Sequence, residues 1–169
     1  MDAAVLEQML DEIFDHAVVH HGYTNYMRDY EVVVYMTAAP STGIKPSYLR
    51  YLFRYCVQAQ CETALPATTW ESSLDDRLLD HATGAGLGGF VRGVKWHPMY
   101  PGAKLLPSSD AARRWSAALG IDFHDVLIET NAHRLTLLFS DLQVTEVPVG
   151  YTPVRRRLSR MNSTVAVVG

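Results

Sequence analysis

The chain has 169 residues, 48% of them apolar and 20% charged, the balance of an ordinary globular domain. No apolar run approaches the roughly 20 residues of a membrane helix, so no membrane partner is expected. The formal net charge of −3 is unevenly placed. Residues 1–147 hold eighteen acids against eleven bases, a charge of −7, whereas the end of the chain carries Arg155, Arg156, Arg157 and Arg160 with no acid. An acidic body repels phosphate and argues against nucleic acid as the ligand.

Taken in chain order, Val5, Leu6, Met9, Leu10, Ile13 and Phe14 recur at spacings of three and four, which predicts an amphipathic helix over Ala3 to Phe14. Its opposite face carries Glu7, Asp11 and Glu12. With no basic residue before Arg28 the start is the reverse of a secretory signal, and a cytoplasmic protein is expected. Ala17 to Tyr23 reads as a short strand. Asp29 to Ala38 is apolar on both faces and belongs in the middle of a sheet, and the turn residues Ala39 to Gly43 end it.

Residues 49–64 fit either a helix or a strand. Their aromatic and β-branched content favours strand, with Phe53, Tyr55, Val57, Ala59 and Cys61 on one face. The run Leu52 to Val57 is also weakly like Leu138 to Val144. Thr68 and Glu71 form a capping-box pattern for a short helix through Leu78. Gly89 to Trp96 reads as a strand, and His97 to Pro107, with three prolines, as a loop. Ser109-Asp110 caps a second short helix carrying Ala112, Trp115, Ala118 and Leu119, which Gly120 stops. From Asp122 to Val147 the period-two pattern predicts an antiparallel meander. It breaks at Thr130-Asn131-Ala132, and its phase slips at Ser140-Asp141, where a turn or bulge is expected.

Chemistry is harder to find. Gly84 to Gly89 matches G-x-G-x-x-G, but a helix precedes it and a strand follows, the reverse of a dinucleotide site. The seven histidines are scattered. His16 and His20 lack the glutamate of an H-E-x-x-H helix, and His20 and His21, adjacent on a strand, should face opposite ways; no metal or other cofactor is expected. Cys56 and Cys61 are five apart, on opposite faces of a strand, and cannot bridge. No serine sits in a nucleophile elbow, and no catalytic residue is assigned. Aromatic residues give the better lead. Tyr23, Tyr26 and Tyr30 cluster around Arg28-Asp29, and Trp96, His97 and Tyr100 share a loop, so Tyr23, Tyr26, Arg28, Asp29, Trp96, His97 and Tyr100 form the candidate binding surface, since such rings give contact area at low entropic cost.

His21 to Tyr30, Leu49 to Val57 and Ser73 to Arg77 resemble the small bacterial YxiG-like family, as do Val94-Lys95-Trp96, Tyr100-Pro101-Gly102 and Tyr151-Thr152-Pro153. The resemblance implies an α+β protein without an assigned activity and an association with toxin-immunity proteins. The expected architecture is one α+β domain over residues 1–150, followed by a basic C-terminal tail over 151–169. A mainly antiparallel twisted sheet of about six or seven strands packs with the N-terminal helix and two shorter helices. Whether it is an enzyme stays open, with the balance against. The leading expectation is a protein-binding module of the immunity type, whose acidic body attracts a cationic toxin. The rival is a small-ligand binder or hydrolase with a pocket between sheet and N-terminal helix, and a homodimer joined through a sheet edge is a third possibility.

Overall fold

The computed structural model describes residues 1–13, 16–24, 27–36, 47–64, 67, 97–98, 102–130, 133–148 and 151. Helix α1 (Ala3–Asp11) opens the chain, followed by β1 (Ala17–Tyr23), β2 (Tyr30–Met36), β3 (Ser47–Arg54) and β4 (Gln58–Thr63). The two-residue β5 (His97–Pro98), β6 (Gly102–Leu105), helix α2 (Asp110–Leu119), β7 (His124–Glu129), β8 (His133–Phe139) and β9 (Asp141–Val147) complete it. The expected helix at Thr68 to Leu78, the expected strand at Gly89 to Trp96 and the glycine run at Gly84 to Gly89 lie outside the described residues.

The architecture is α+β, but the strands form two antiparallel sheets rather than one: β5-β1-β2-β3-β9 and β4-β8-β7-β6. That makes nine strands among the described residues, where six or seven were expected. The stretch read as a proline-rich loop supplies two of them: β5 pairs with Ala17 and Val18, and β6 pairs along β7.

The reason for two sheets is a corner in one long ladder. Residues 47–63 run antiparallel to 133–147, with Arg54 opposite Asp141 and Gln58 opposite Leu138. Between those pairs lie Tyr55, Cys56 and Val57 on one arm but only Phe139 and Ser140 on the other. This one-residue excess is a bulge, which bends and twists a ladder. Tyr55 takes it up with φ 51. The backbone stays bonded through the bend: Val57 N–H donates to Leu138 O at 2.9 Å, and Ser140 N–H to Arg54 O at 3.0 Å. The phase slip read at Ser140 is thus a strand crossing from one sheet to the other. The alternation expected through residue 61 fails at the same place, because Phe53 is buried, Tyr55 is exposed and Cys56 is buried. The two weakly similar runs, Leu52 to Val57 and Leu138 to Val144, are the facing arms of this corner, and Phe53 meets Phe139 edge-on at 4.9 Å.

The bend folds the two inner faces onto one core. Val32, Val34, Tyr51, Phe53 and Leu142 from the first sheet pack with Val126, Ile128, Leu137 and Phe139 from the second. Helix α1 adds Leu6 and Leu10, and the turn after it adds Ile13, all essentially inaccessible, each stabilising by roughly 1.5–3 kcal/mol. Asp2 caps it by accepting the Ala4 N–H at 2.8 Å. Val5, read as part of the apolar stripe, is instead exposed. Helix α2 starts and stops where expected: Ser109 Oγ accepts the Ala112 N–H at 3.1 Å, and Gly120 sits at φ 69. It packs on the back of the second sheet through Ala112, against Phe123 and Leu138. Trp115 and Leu119, expected on its apolar face, are 41% and 53% exposed. The small Ala112 is the helix's one buried residue, so the bulky positions stand clear.

Candidate functional site

Strand β1 carries the second irregularity of the ladder. Val18 faces Val34, and the next paired residue, His20, faces Val33, so Val19 is a bulge. The bulge faces an opening between the two sheets, a cleft of about 280 Å³. Val18, Val32, Ile128 and Leu135 form its apolar floor, all of them members of the core. Its rim is polar: His21 from β1, Thr130 and His133 from the turn joining β7 to β8. Thr130 and His133 are bonded to each other, Thr130 N–H donating to His133 O at 2.9 Å and His133 N–H donating to Thr130 Oγ1 at 2.8 Å. His20 and His21 face opposite ways, as expected: His21 pairs with Val32 on the cleft side, whereas His20 pairs with Val33 and reaches Glu31 on the other face.

Each β1 histidine has a partner on its own face of the sheet. His21 Nδ1 lies 2.7 Å from the Tyr30 hydroxyl, and the two rings stack with centroids 6.0 Å apart. Burial pushes the Tyr30 phenol well above its ordinary value, so it keeps its proton. His20 Nε2 is 3.9 Å from Glu31 Oε1. Glu31 is itself buried, its side chain 1% exposed. Its other oxygen, Oε2, accepts from Arg50 Nε at 2.5 Å and from the Tyr151 hydroxyl at 3.3 Å. Oε1 has no hydrogen-bond partner among the described residues. A buried carboxylate requires such a counter-ion, and Arg50 provides it from the neighbouring strand.

The candidate binding surface resolves into parts. Tyr26, Trp96 and Tyr100 lie outside the described residues, and His97 is placed by its backbone pairing alone. Tyr23 packs edge-on against Tyr30 at 5.0 Å. Arg28 and Asp29 clamp the corner. Arg28 Nε and Nη2 donate to the two Asp29 oxygens at 3.0 and 2.9 Å, and Asp29 Oδ1 also accepts the Tyr55 N–H at 3.0 Å. The Arg28 fork beside it, helped by that N–H, holds the Asp29 carboxyl below its ordinary value despite partial burial. The guanidinium carbons of Arg28 and Arg54 lie 5.1 and 5.4 Å from the Tyr55 ring centroid, within cation–π range.

Among the described residues no three His, Cys, Asp or Glu side chains converge as metal ligands would. Both cysteines are free, Cys56 buried and Cys61 exposed. Burial pushes the Cys56 thiol up to about 11, which makes it a packing residue and a poor nucleophile. The family model for YxiG-like proteins matches residues 2–157. The chain belongs to the YxiG-like protein family. No curated protein matches it.

A second concavity of this YxiG-like protein, about 390 Å³, lies between α1 and the strands of the second sheet. Leu105, Leu106, Pro107 and Phe123 give it apolar walls, and Glu7, His124 and Asp125 give it polar ones. Asp125 is engaged by Ser109, whose N–H and hydroxyl donate to it at 2.9 and 3.1 Å. His124 Nε2 is buried without a partner among the described residues. Desolvation, then the nearby N-terminal amine, lowers its pKa, so the ring is neutral near pH 7. Above it the exposed face of α1 carries Glu7 and Asp11, and Asp2 and Glu12 flank them.

Sequence reasoning missed Thr130, His133, Glu31 and Arg50. One signal for Glu31 was available: it is the single charge inside an otherwise apolar strand, and such a residue needs a buried cation. Nothing local marked His133, which reaches the cleft only because the two sheets face each other.

Proposed function

We propose that this YxiG-like protein is a non-enzymatic protein-binding module of the immunity type, which neutralises a cationic toxin domain by covering it. The observation that carries the reading is the composition of α1 and the groove beneath it. Asp2, Glu7, Asp11 and Glu12 are all exposed, and no base occurs in the sequence before Arg28. Apolar walls under an acidic rim match what a basic partner needs: charge steers its approach, and desolvated apolar contact holds it. Val5 on the same helix and Met1 just before it, 48% and 40% exposed, extend the apolar contact area. Lys104 is the base on the neighbouring β6, too few to reverse the sign.

The test is co-expression with the polypeptide encoded beside this gene, read by survival of the host and by co-elution of the two chains. Replacing Glu7, Asp11 and Glu12 together by lysine should slow association by about tenfold or more and flatten its salt dependence, as expected where charge steers encounter. Failure of the native pair to co-elute, or an association rate indifferent to the triple reversal, would overturn the reading.

A further inference from the structure

The two ends of the second sheet differ. Helix α1 packs against β6 at one end. At the other, β4 pairs with β8 on one side and has no strand beyond it among the described residues. Edge strands usually carry charges, proline, a bulge or a cover that stops another chain from pairing with them. The outer edge of the first sheet follows that rule, since β9 holds Asp141 and Glu146 and runs into Pro148. In contrast, β4 reads Gln-Ala-Gln-Cys-Glu-Thr, with one acid, no base and no proline, and Gln58, Gln60, Cys61 and Glu62 are all exposed. We infer that this edge pairs with the same edge of a second copy of the chain, antiparallel about a two-fold axis, joining two four-stranded sheets into one of eight.

The strand is self-complementary in that arrangement. Residues opposite each other on paired strands lie on the same face of the sheet. Gln58, Gln60 and Glu62 share the outer face, whereas Ala59 and Cys61 lie on the core face, opposite Leu137 and Leu135 of β8. Two registers then keep most of the strand paired. With Cys61 on the axis, Glu62 stands opposite Gln60 of the copy; with Gln60 on the axis, it stands opposite Gln58. In both, a carboxylate meets an amide donor, and the strand's one charge never meets itself. The amide already seeks that carboxylate within the chain, Gln60 Nε2 donating to Glu62 Oε1 at 2.6 Å. Alternate residues lie about 6.6–6.8 Å apart along a strand, whereas the Cβ atoms of opposite residues are roughly 4.5–5.5 Å apart, so pairing shortens the reach. A two-fold contact of this kind closes at two copies. So short a strand buries little area, which makes the dimer weak and concentration-dependent. The groove under α1 lies at the far end of each sheet and stays open, so the dimer does not rest on the proposed function.

Sedimentation velocity of the full chain over a wide range of concentration tests this, together with hydrogen exchange at each concentration. Monomer should give way to dimer as concentration rises, and exchange should slow at the amides of β4. Gln58→Glu combined with Gln60→Glu sets a carboxylate opposite Glu62 in either register and should weaken the dimer by about tenfold, because like charges directly opposite repel. Glu62→Gln sets amide against amide and should stay within about threefold of the parent. All three positions are exposed, and an unchanged denaturant midpoint would confirm that the fold is kept. The inference is overturned if the chain stays monomeric at the highest concentration, if the double variant dimerises like the parent, or if Glu62→Gln weakens the dimer as much as the double variant does. Slowed exchange confined to strands other than β4 would refute it too. None of these outcomes involves a toxin, so this inference and the proposed function fail separately.

Discussion

The chain interrupts its ladders twice, at Tyr55–Val57 and at Val19, and the two bulges do opposite things. At the corner every interruption is closed again. Asp29 accepts the Tyr55 N–H, Arg28 O accepts the Cys56 N–H at 2.8 Å, and Leu138 O accepts the Val57 N–H. At Val19 the strand lies near the margin of its sheet, with the two-residue β5 beyond it, and the offset lies beside a cavity. An irregularity saturated with backbone bonds builds a corner of the fold, whereas one beside a cavity shifts which side chains meet it. Substitutions at the corner should therefore cost more stability than substitutions around the cleft.

The largest expected effect is at the meeting of the two aromatic rings. Phe53 and Phe139 are fully buried, one from each sheet, so Phe53→Ala or Phe139→Ala opens a cavity at the hinge of the architecture. Denaturant unfolding should show a loss of about 3–5 kcal/mol. A loss below about 1 kcal/mol would mean that the sheets are not joined there.

Asp29→Ala comes next, because it strands both the Tyr55 N–H and the Arg28 fork; the expected cost is about 1–3 kcal/mol at neutral pH. The sign with pH follows from the depressed carboxyl. Its contribution is complete above the ordinary value of 3.8 and is lost as pH falls through the lower folded-state value. The stability gap between parent and variant should therefore be flat near neutrality and close in acid. A gap that widens in acid contradicts the clamp.

Tyr55 provides a smaller and more diagnostic effect. Its φ of 51 costs an L-residue roughly 1–2 kcal/mol and a β-branched residue more. Tyr55→Gly relieves that cost while losing the contacts with Arg28 and Arg54, so its stability should stay within about 1 kcal/mol of the parent. Tyr55→Ile should fall clearly below both. Equal stability of the glycine and isoleucine variants would remove the corner's positive φ from the explanation.

Much of this division was legible beforehand, in specific places. The buried strand at Tyr30–Met36 followed from its two apolar faces, both caps of α2 from Ser109 and Gly120, and the strands of the meander from their period. The two-sheet architecture was not, because the excess residue at the corner is a mismatch between arms some 80 positions apart and appears in neither arm alone. The same holds for the cleft. An unpaired residue at Val19 reverses the facing of every side chain after it on that strand, and period counting carries no record of such a slip. Arg28 and Asp29 were singled out as surface groups because their cluster with tyrosines was visible, whereas their partner, the Tyr55 N–H, was not.

The smallest effect separates a sealed corner from an open edge without changing stability at all. Cys56 lies inside the corner, its thiol donating to Gln58 O at 3.2 Å and raised to about 11 by burial. Cys61 lies four residues past the bend on β4, which pairs on one side with β8 and is exposed at every position but Ala59. Its thiol is also raised, by desolvation and then by Glu62, so it should alkylate slowly, since the thiolate is the reactive form. Iodoacetamide at neutral pH should thus add a single label to the native protein, at Cys61, and a second label only in denaturant, read by mass spectrometry. In Asp29→Ala the second label should appear under native conditions and faster than in the parent, because Cys56 N–H bonds to the residue beside the lost carboxylate and the corner opens locally more often. Rapid labelling of Cys56 in the parent would show that the corner is not sealed, and the contrast between the two bulges would lose its basis.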